Sequence, residues 1–150
     1  MTRYSAVLLA AIGASLAVPA FAQFAKPEDA IKYRKSALFL MQQNFGRVAA
    51  MAAGKAPFDA KVAADSAAVA EFVAKLPWEG FGPGTDKGDT KAKPEIWTDK
   101  AKFDDYAKKM QAEMSKLSIA AKTGSLDSIK VAVNATGGTC KSCHDDFRAK

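Results

Sequence analysis

The sequence predicts an all-α domain, an antiparallel up-down-up-down four-helix bundle with a long loop between helices 2 and 3. Three observations predict it. Helical periodicity of apolar residues appears four times, alanine is abundant throughout, and one irregular stretch, residues 77–97, separates the first pair of periodic segments from the second. Little of the chain is left for strands, and helices joined by short connections pack antiparallel around a shared core.

The chain has 150 residues, room for one domain. Its first 22 residues read as a cleaved signal peptide, and 23–150 as the bundle. Arg3 gives a positive start, residues 6–18 (AVLLAAIGASLAV) are almost wholly apolar, and AFA at 20–22 is an A-x-A cleavage site that leaves Gln23 as the new N-terminus. The apolar run is too short to span a bilayer comfortably, and VPAFAQ breaks it. The expectation is a periplasmic protein with no membrane attachment after cleavage. Removing 22 residues leaves 128, and the loss of Arg3 takes the formal charge from +6 to +5. Lys and Asp/Glu alternate, as in DKAKFDDYAKK, which reads as a solvated helix surface and not as the one-sided basic patch of a nucleic-acid binder.

The first helix opens at KPEDA, where Pro27 suits a first turn and Glu28 and Asp29 face the positive end of the helix dipole. Ile31, Leu38, Met41, Phe45 and Val48 then form its apolar stripe. The second helix runs from about Asp59 to Leu76, with Val62, Val69, Phe72, Val73 and Leu76 expected inward, and ends against Pro77. Residues 77–97 hold three of the six prolines, four of the ten glycines and both tryptophans, the composition of a functional loop packed over something apolar. Thr98 or Asp99 caps the third helix, whose inward residues are Phe103, Tyr106, Met110, Leu117 and Ala121. Gly124 stops it and Ser125 caps the fourth. That last helix carries Leu126, Ile129, Val133, Thr136, Cys140, Cys143 and Phe147 on one stripe, which places both cysteines toward the core.

Both cysteines and the only histidine lie in the last dozen residues, TCKSCHDDFRAK. A Cys-x-x-Cys disulfide closes too small a loop to stabilise much. A thioredoxin-like dithiol needs a βαβ context that is absent, and a structural zinc needs four ligands where this chain offers three. C-x-x-C-H is the attachment sequence of c-type haem. On a helix, positions 140, 143 and 144 are neighbours, so two thiols can form thioethers to the vinyl groups of one porphyrin while His144 reaches the iron. Export agrees, because this haem is attached outside the cytoplasm. Only six residues follow His144, none of them Met, His or Cys, so a sixth ligand would have to be Met41, Met51, Met110 or Met114 from another helix.

A signal peptide, four helices and a C-terminal CKSCHDDFR together resemble the cytochrome c′ family of class II c-type cytochromes. The likeness extends over QFAKPEDAIKYRKSALFLM, LPWEGFGPGTD and KPEIW. It implies one covalently bound haem c per subunit, attached through Cys140 and Cys143, with five-coordinate iron held by His144. It implies that Leu38 blocks the distal face, that Trp78 and Phe81 line the pocket, and that Arg34 pairs with a haem propionate. Lys35 comes next to Arg34 as a further cofactor contact, and Lys93 takes a basic position at the haem edge, although the stretch before it is longer than the family pattern. Phe147 stands where an aromatic is expected. Arg148, placed on the face of His144, matches a basic residue beside the proximal ligand.

The resemblance further implies binding of NO and CO, with NO buffering or sequestration as the role, and a homodimer formed through the first two helices. Tyr33 and Leu40, opposite the inward stripe, are the residues expected on that interface. Binding would begin on the Leu38 face and weaken the bond from His144 to iron. The rival reading is an electron-transfer cytochrome serving redox partner proteins, with His144 and Met41 both on the iron. No second His, Cys or acid is placed to donate a proton over the metal, so no enzyme is expected.

Overall fold

In the computed structural model, which describes residues 23–150, the chain builds four long helices: α1 (Pro27–Ala52), α2 (Ala60–Val73), α4 (Lys100–Lys122) and α5 (Leu126–Phe147). Between α2 and α4 come a 3-10 turn (Pro77–Phe81) and the one-turn α3 (Glu95–Thr98). The signal peptide expected at 1–22 lies outside the described residues. Helices α1 and α4 each pack on both α2 and α5, which closes the four into an antiparallel bundle. No strand is present among the described residues, and the one isolated bridge pairs Ala92 with Arg148.

The helix ends follow from local chemistry. Pro27 occupies the first turn of α1. The Asp59 carboxylate accepts the Val62 amide at 3.0 Å, and the Ser125 hydroxyl accepts that of Ser128 at 3.2 Å, each satisfying a donor that the helix leaves unpaired. Gly124, at φ +70°, turns the chain between α4 and α5 in a conformation costly for any residue with a Cβ.

Two apolar clusters result. The larger is built on Val48, Met114, Leu117 and Ile129 with the alanines of α2. The smaller is Phe81, Ile96, Phe103 and Phe147. Leu38 and Trp78 pack against both.

In α2 the expected inward face is largely reversed. Ala63, Ser66, Ala67, Ala70 and Val73 are buried, while Val62, Val69 and Phe72 are exposed, Phe72 by 66%. Small side chains let helix backbones approach closely, so the alanine face makes the tighter seam and the bulky residues are left outside. Tyr33 also departs from expectation: it is half-buried, its ring 5.1 Å from that of Phe24, whereas Leu40 remains exposed.

Candidate functional site

The last two turns of α5 carry Cys140, Cys143 and His144 side by side. Both thiols are free and half-buried. Cys140 packs against the larger cluster and Cys143 against the aromatic one, so the motif lies at the seam between them. His144 is exposed. The motif is therefore less buried than its stripe suggested. Ile129, Ala132 and Thr136 fill the contact earlier in α5 and Phe147 fills it at the end, which leaves the turns between half covered by protein.

Burial pushes the Cys143 thiol up to about 11, with Cys140 and Asp146 adding to the effect, and burial raises Cys140 as well. Both are thiols at neutral pH, and they are the pair that would hold a haem through thioethers. Burial, and then the charge of Arg148, holds His144 below its ordinary value against the opposing pull of Asp145. A neutral imidazole keeps a lone pair for a metal.

Leu38 is half-buried on α1 and touches the same aromatic cluster as Cys143. That cluster is a run of ring contacts. Phe103 stands edge-on to Phe81 at 4.9 Å, to Trp78 at 5.6 Å and to Phe147 at 5.4 Å between centroids. Trp78 stacks on Phe81 at 6.2 Å and donates its indole N–H to the Ala74 carbonyl. Leu38, Trp78, Phe81, Phe147 and Cys143 are thus brought together.

Arg34, the expected propionate partner, is anchored by the loop. It is 1% exposed, and its four terminal N–H groups go to neutral acceptors in the loop: the Gly80 carbonyl at 2.7 Å, the Thr85 hydroxyl at 3.0 Å, the Thr85 carbonyl at 2.9 Å and the Thr90 hydroxyl at 2.8 Å. Its guanidinium lies 4.5 Å from the centre of the Phe81 ring. Burial lowers its pKa to about 10, leaving it charged at neutral pH. Lys35 is not at the site but on the surface, bonded to the Asp89 carboxylate at 2.5 Å. Lys93 does reach the site's end of α5, where it donates to the carbonyls of Asp145 and Asp146 at 3.1 and 3.0 Å and satisfies acceptors the helix leaves open. Arg148 does not continue the helical face of His144. The helix ends at Phe147, and Arg148 turns extended to pair with Ala92, while the Ala149 amide donates to Lys91 at 2.8 Å.

Nothing in the sequence marks Thr85 and Thr90 as partners of Arg34, since neither lies in a periodic segment. Gly80 carried a weak signal. A Cβ there would come within 2.7 Å of the Ala30 carbonyl and 2.8 Å of the Arg34 Cβ, so only glycine lets the loop seat on α1.

A covalently bound haem fits this chain. Two free thiols and a neutral imidazole share one helix turn at an apolar seam, and Arg34 adds a buried positive charge with no carboxylate among its hydrogen-bond partners, which suits a cofactor with an anionic edge. Among the described residues no three His, Cys, Asp or Glu side chains converge on a metal position. A haem held here would bring its own ring of iron ligands, and His144 would be this chain's contribution to the metal.

The family model described as Cytochrome C' matches residues 29–148. A cytochrome c′ of Rubrivivax gelatinosus is 57% identical over 129 residues, which cover 85% of this chain and all of that one. A cytochrome c′ of Alcaligenes xylosoxydans xylosoxydans is 48% identical over 128 residues, 85% of this chain and 99% of that one. The crystal structure of the Rubrivivax protein superposes with a TM-score of 0.82 over 85% of this chain and all of that one. The nitric oxide complex of a single-residue mutant of cytochrome c′ from Alcaligenes xylosoxidans, 45% identical, superposes at 0.80 over 85% and 99%.

Proposed function

The chain belongs to the cytochrome c′ family, and from that premise we propose that it is a periplasmic haem c protein, one haem per subunit, that binds NO and also CO at five-coordinate iron and serves to buffer or sequester NO. It is a binding protein and not an enzyme. One observation carries the reading: Leu38 and Cys143 border the same aromatic cluster, so the wall that α1 brings to the motif is a hydrocarbon.

When bound, the haem supplies an iron able to take a neutral diatomic ligand. Cys140 and Cys143 would hold it through thioethers and His144 would ligate the metal. Leu38 offers no hydrogen bond, so it disfavours water and anions while yielding to a small uncharged molecule at a steric cost. Trp78 and Phe81 exclude water from the same wall. Met41, Met51, Met110 and Met114 are all packed into the larger core cluster, which supports an open sixth position over the six-coordinate electron carrier. The nitric oxide complex of the Alcaligenes relative supports NO as a ligand. Export is supported by the A-x-A site at 20–22.

The test is the absorption spectrum of the reduced holoprotein, made in a host that attaches haem c, before and after CO or NO. A broad high-spin spectrum that changes with gas is the expected result. Sharp low-spin bands that ignore CO would mean a sixth protein ligand, and the electron carrier with its redox partner proteins would replace this reading.

A further inference from the structure

Residues 80–92 are largely irregular, and one side chain, Arg34, supplies four hydrogen bonds that anchor them. The Arg34 guanidinium donates to Gly80, Thr85 and Thr90, so a single rigid fork fixes three points along eleven residues of loop. The acceptors are themselves held. The Thr85 hydroxyl donates to the Gly82 carbonyl at 2.8 Å, the Thr90 hydroxyl accepts the Ala92 amide at 3.1 Å, and the Trp97 indole N–H donates to Gly82 at 2.9 Å. Phe81 and Trp97 lie beneath the guanidinium, at 4.5 and 5.5 Å from their centroids. One helical turn after Arg34 comes Leu38, which packs against the cluster containing Phe81. None of the hydrogen-bond partners is a carboxylate. A guanidinium presents these four donors in one fixed plane, which suits a clasp on three points of a loop.

We propose that Arg34 is the positioning residue of the distal wall: by clasping residues 80–90 to α1 it sets how closely Phe81 covers Leu38, and so gates access of gas to the pocket. This rests on the gas-binding reading above. A lysine at 34 would keep the charge but could not bridge three sites. A closed clasp slows both entrance and escape, so loosening it raises the two rates together and leaves the affinity unchanged.

The experiment compares wild-type holoprotein with Arg34→Lys, Thr90→Val and Lys35→Ala, by CO association and dissociation rates and by limited proteolysis of the 80–90 segment. Thr90→Val removes an acceptor while leaving Arg34 in place, and covers the case in which Arg34→Lys does not fold. Lys35→Ala removes only the surface contact to Asp89. Arg34→Lys is expected to raise both CO rates about tenfold, equivalent to about 1.4 kcal/mol, and to open the segment to protease. Thr90→Val should change both readouts in the same direction by less, and Lys35→Ala should change neither rate. The proposal is overturned if the segment becomes cleavable with no change in CO rates, or if Arg34→Lys alters them and a folded Thr90→Val does not, which would place the action of Arg34 directly on the cofactor. A wild-type protein that takes no CO at all would remove the gas-binding reading and the gate with it. Proteolysis would then still decide whether Arg34 holds the segment.

Discussion

Gly137 stands seven residues before His144, two turns down the same stripe of α5, and a Cβ built on it meets no atom within 4 Å. Its neighbour Gly138 is equally open but points away from the motif. Protein packing therefore demands glycine at neither place, and each costs the helix about 1 kcal/mol relative to alanine. In the holoprotein, Gly138→Ala should raise the unfolding free energy by about 1 kcal/mol. Gly137→Ala should not, because haem attached at Cys140 would occupy the space beside it. Guanidinium unfolding of the two variants decides it, and an equal gain would show that nothing covers Gly137.

Leu38→Ala removes the hydrocarbon that α1 contributes to the aromatic seam. CO association should rise about tenfold, as expected for some 1.4 kcal/mol off a steric barrier. Stopped-flow mixing of the reduced holoprotein with CO measures it. An unchanged rate would mean that Leu38 is not the obstacle.

The bundle was legible because each helix announces itself within its own segment: Pro27 starts one, Asp59 and Ser125 cap two more, and Gly124 ends the remaining one, α4. The C-x-x-C-H motif was legible for the same reason, since its three residues lie within one turn of a single helix. The face of α2 was not. Hydrophobicity favours turning Val69 and Phe72 inward, but the approach distance between helices favours Ala67 and Ala70, and packing wins. The environment of Arg34 was hidden because its partners, Gly80, Thr85 and Thr90, come from a loop whose path no periodicity describes. Lys93 reached the end of α5 through a bridge between Ala92 and Arg148, a pairing that residue types alone do not specify.

Glu71 gives the stability of the bundle an acid-side dependence. The neighbouring hydroxyls of Ser118 and Ser115 hold its carboxyl below the ordinary 4.5; of the two, Ser115 donates to it at 2.7 Å across the seam between α2 and α4, whereas the Ser118 hydroxyl makes no hydrogen bond of normal geometry. A carboxyl whose folded pKa is depressed stabilises the fold above its unfolded value and loses that contribution as pH falls through the folded one. The stability difference between wild type and Glu71→Gln should be constant above pH 4.5 and shrink below it. Denaturant unfolding of the holoprotein from pH 6 to about 3 tests this. A difference that stays flat over that range would mean that the seryl contacts do not bind the charged form preferentially.

The reversal of α2 has a consequence for assembly. Val62, Val69 and Phe72 are 39%, 45% and 66% exposed on one side of that helix, and α1 adds Leu40 at 51%. Scattered apolar residues on a surface are ordinary, but three on one helix face, placed there because the alanines took the core, make a stripe that water solvates poorly. A second copy of the chain would cover it, through the two helices expected to pair. Sedimentation at micromolar concentration should find a dimer for the wild-type holoprotein and a monomer for Phe72→Glu. Because Phe72 makes little contact within its own chain, the variant's monomer should unfold with a free energy within about 0.5 kcal/mol of the wild-type chain's, once dimer dissociation is accounted for. A wild-type monomer would assign the stripe no interface. A dimer that survives Phe72→Glu would move the interface off α2 and onto another face of the bundle.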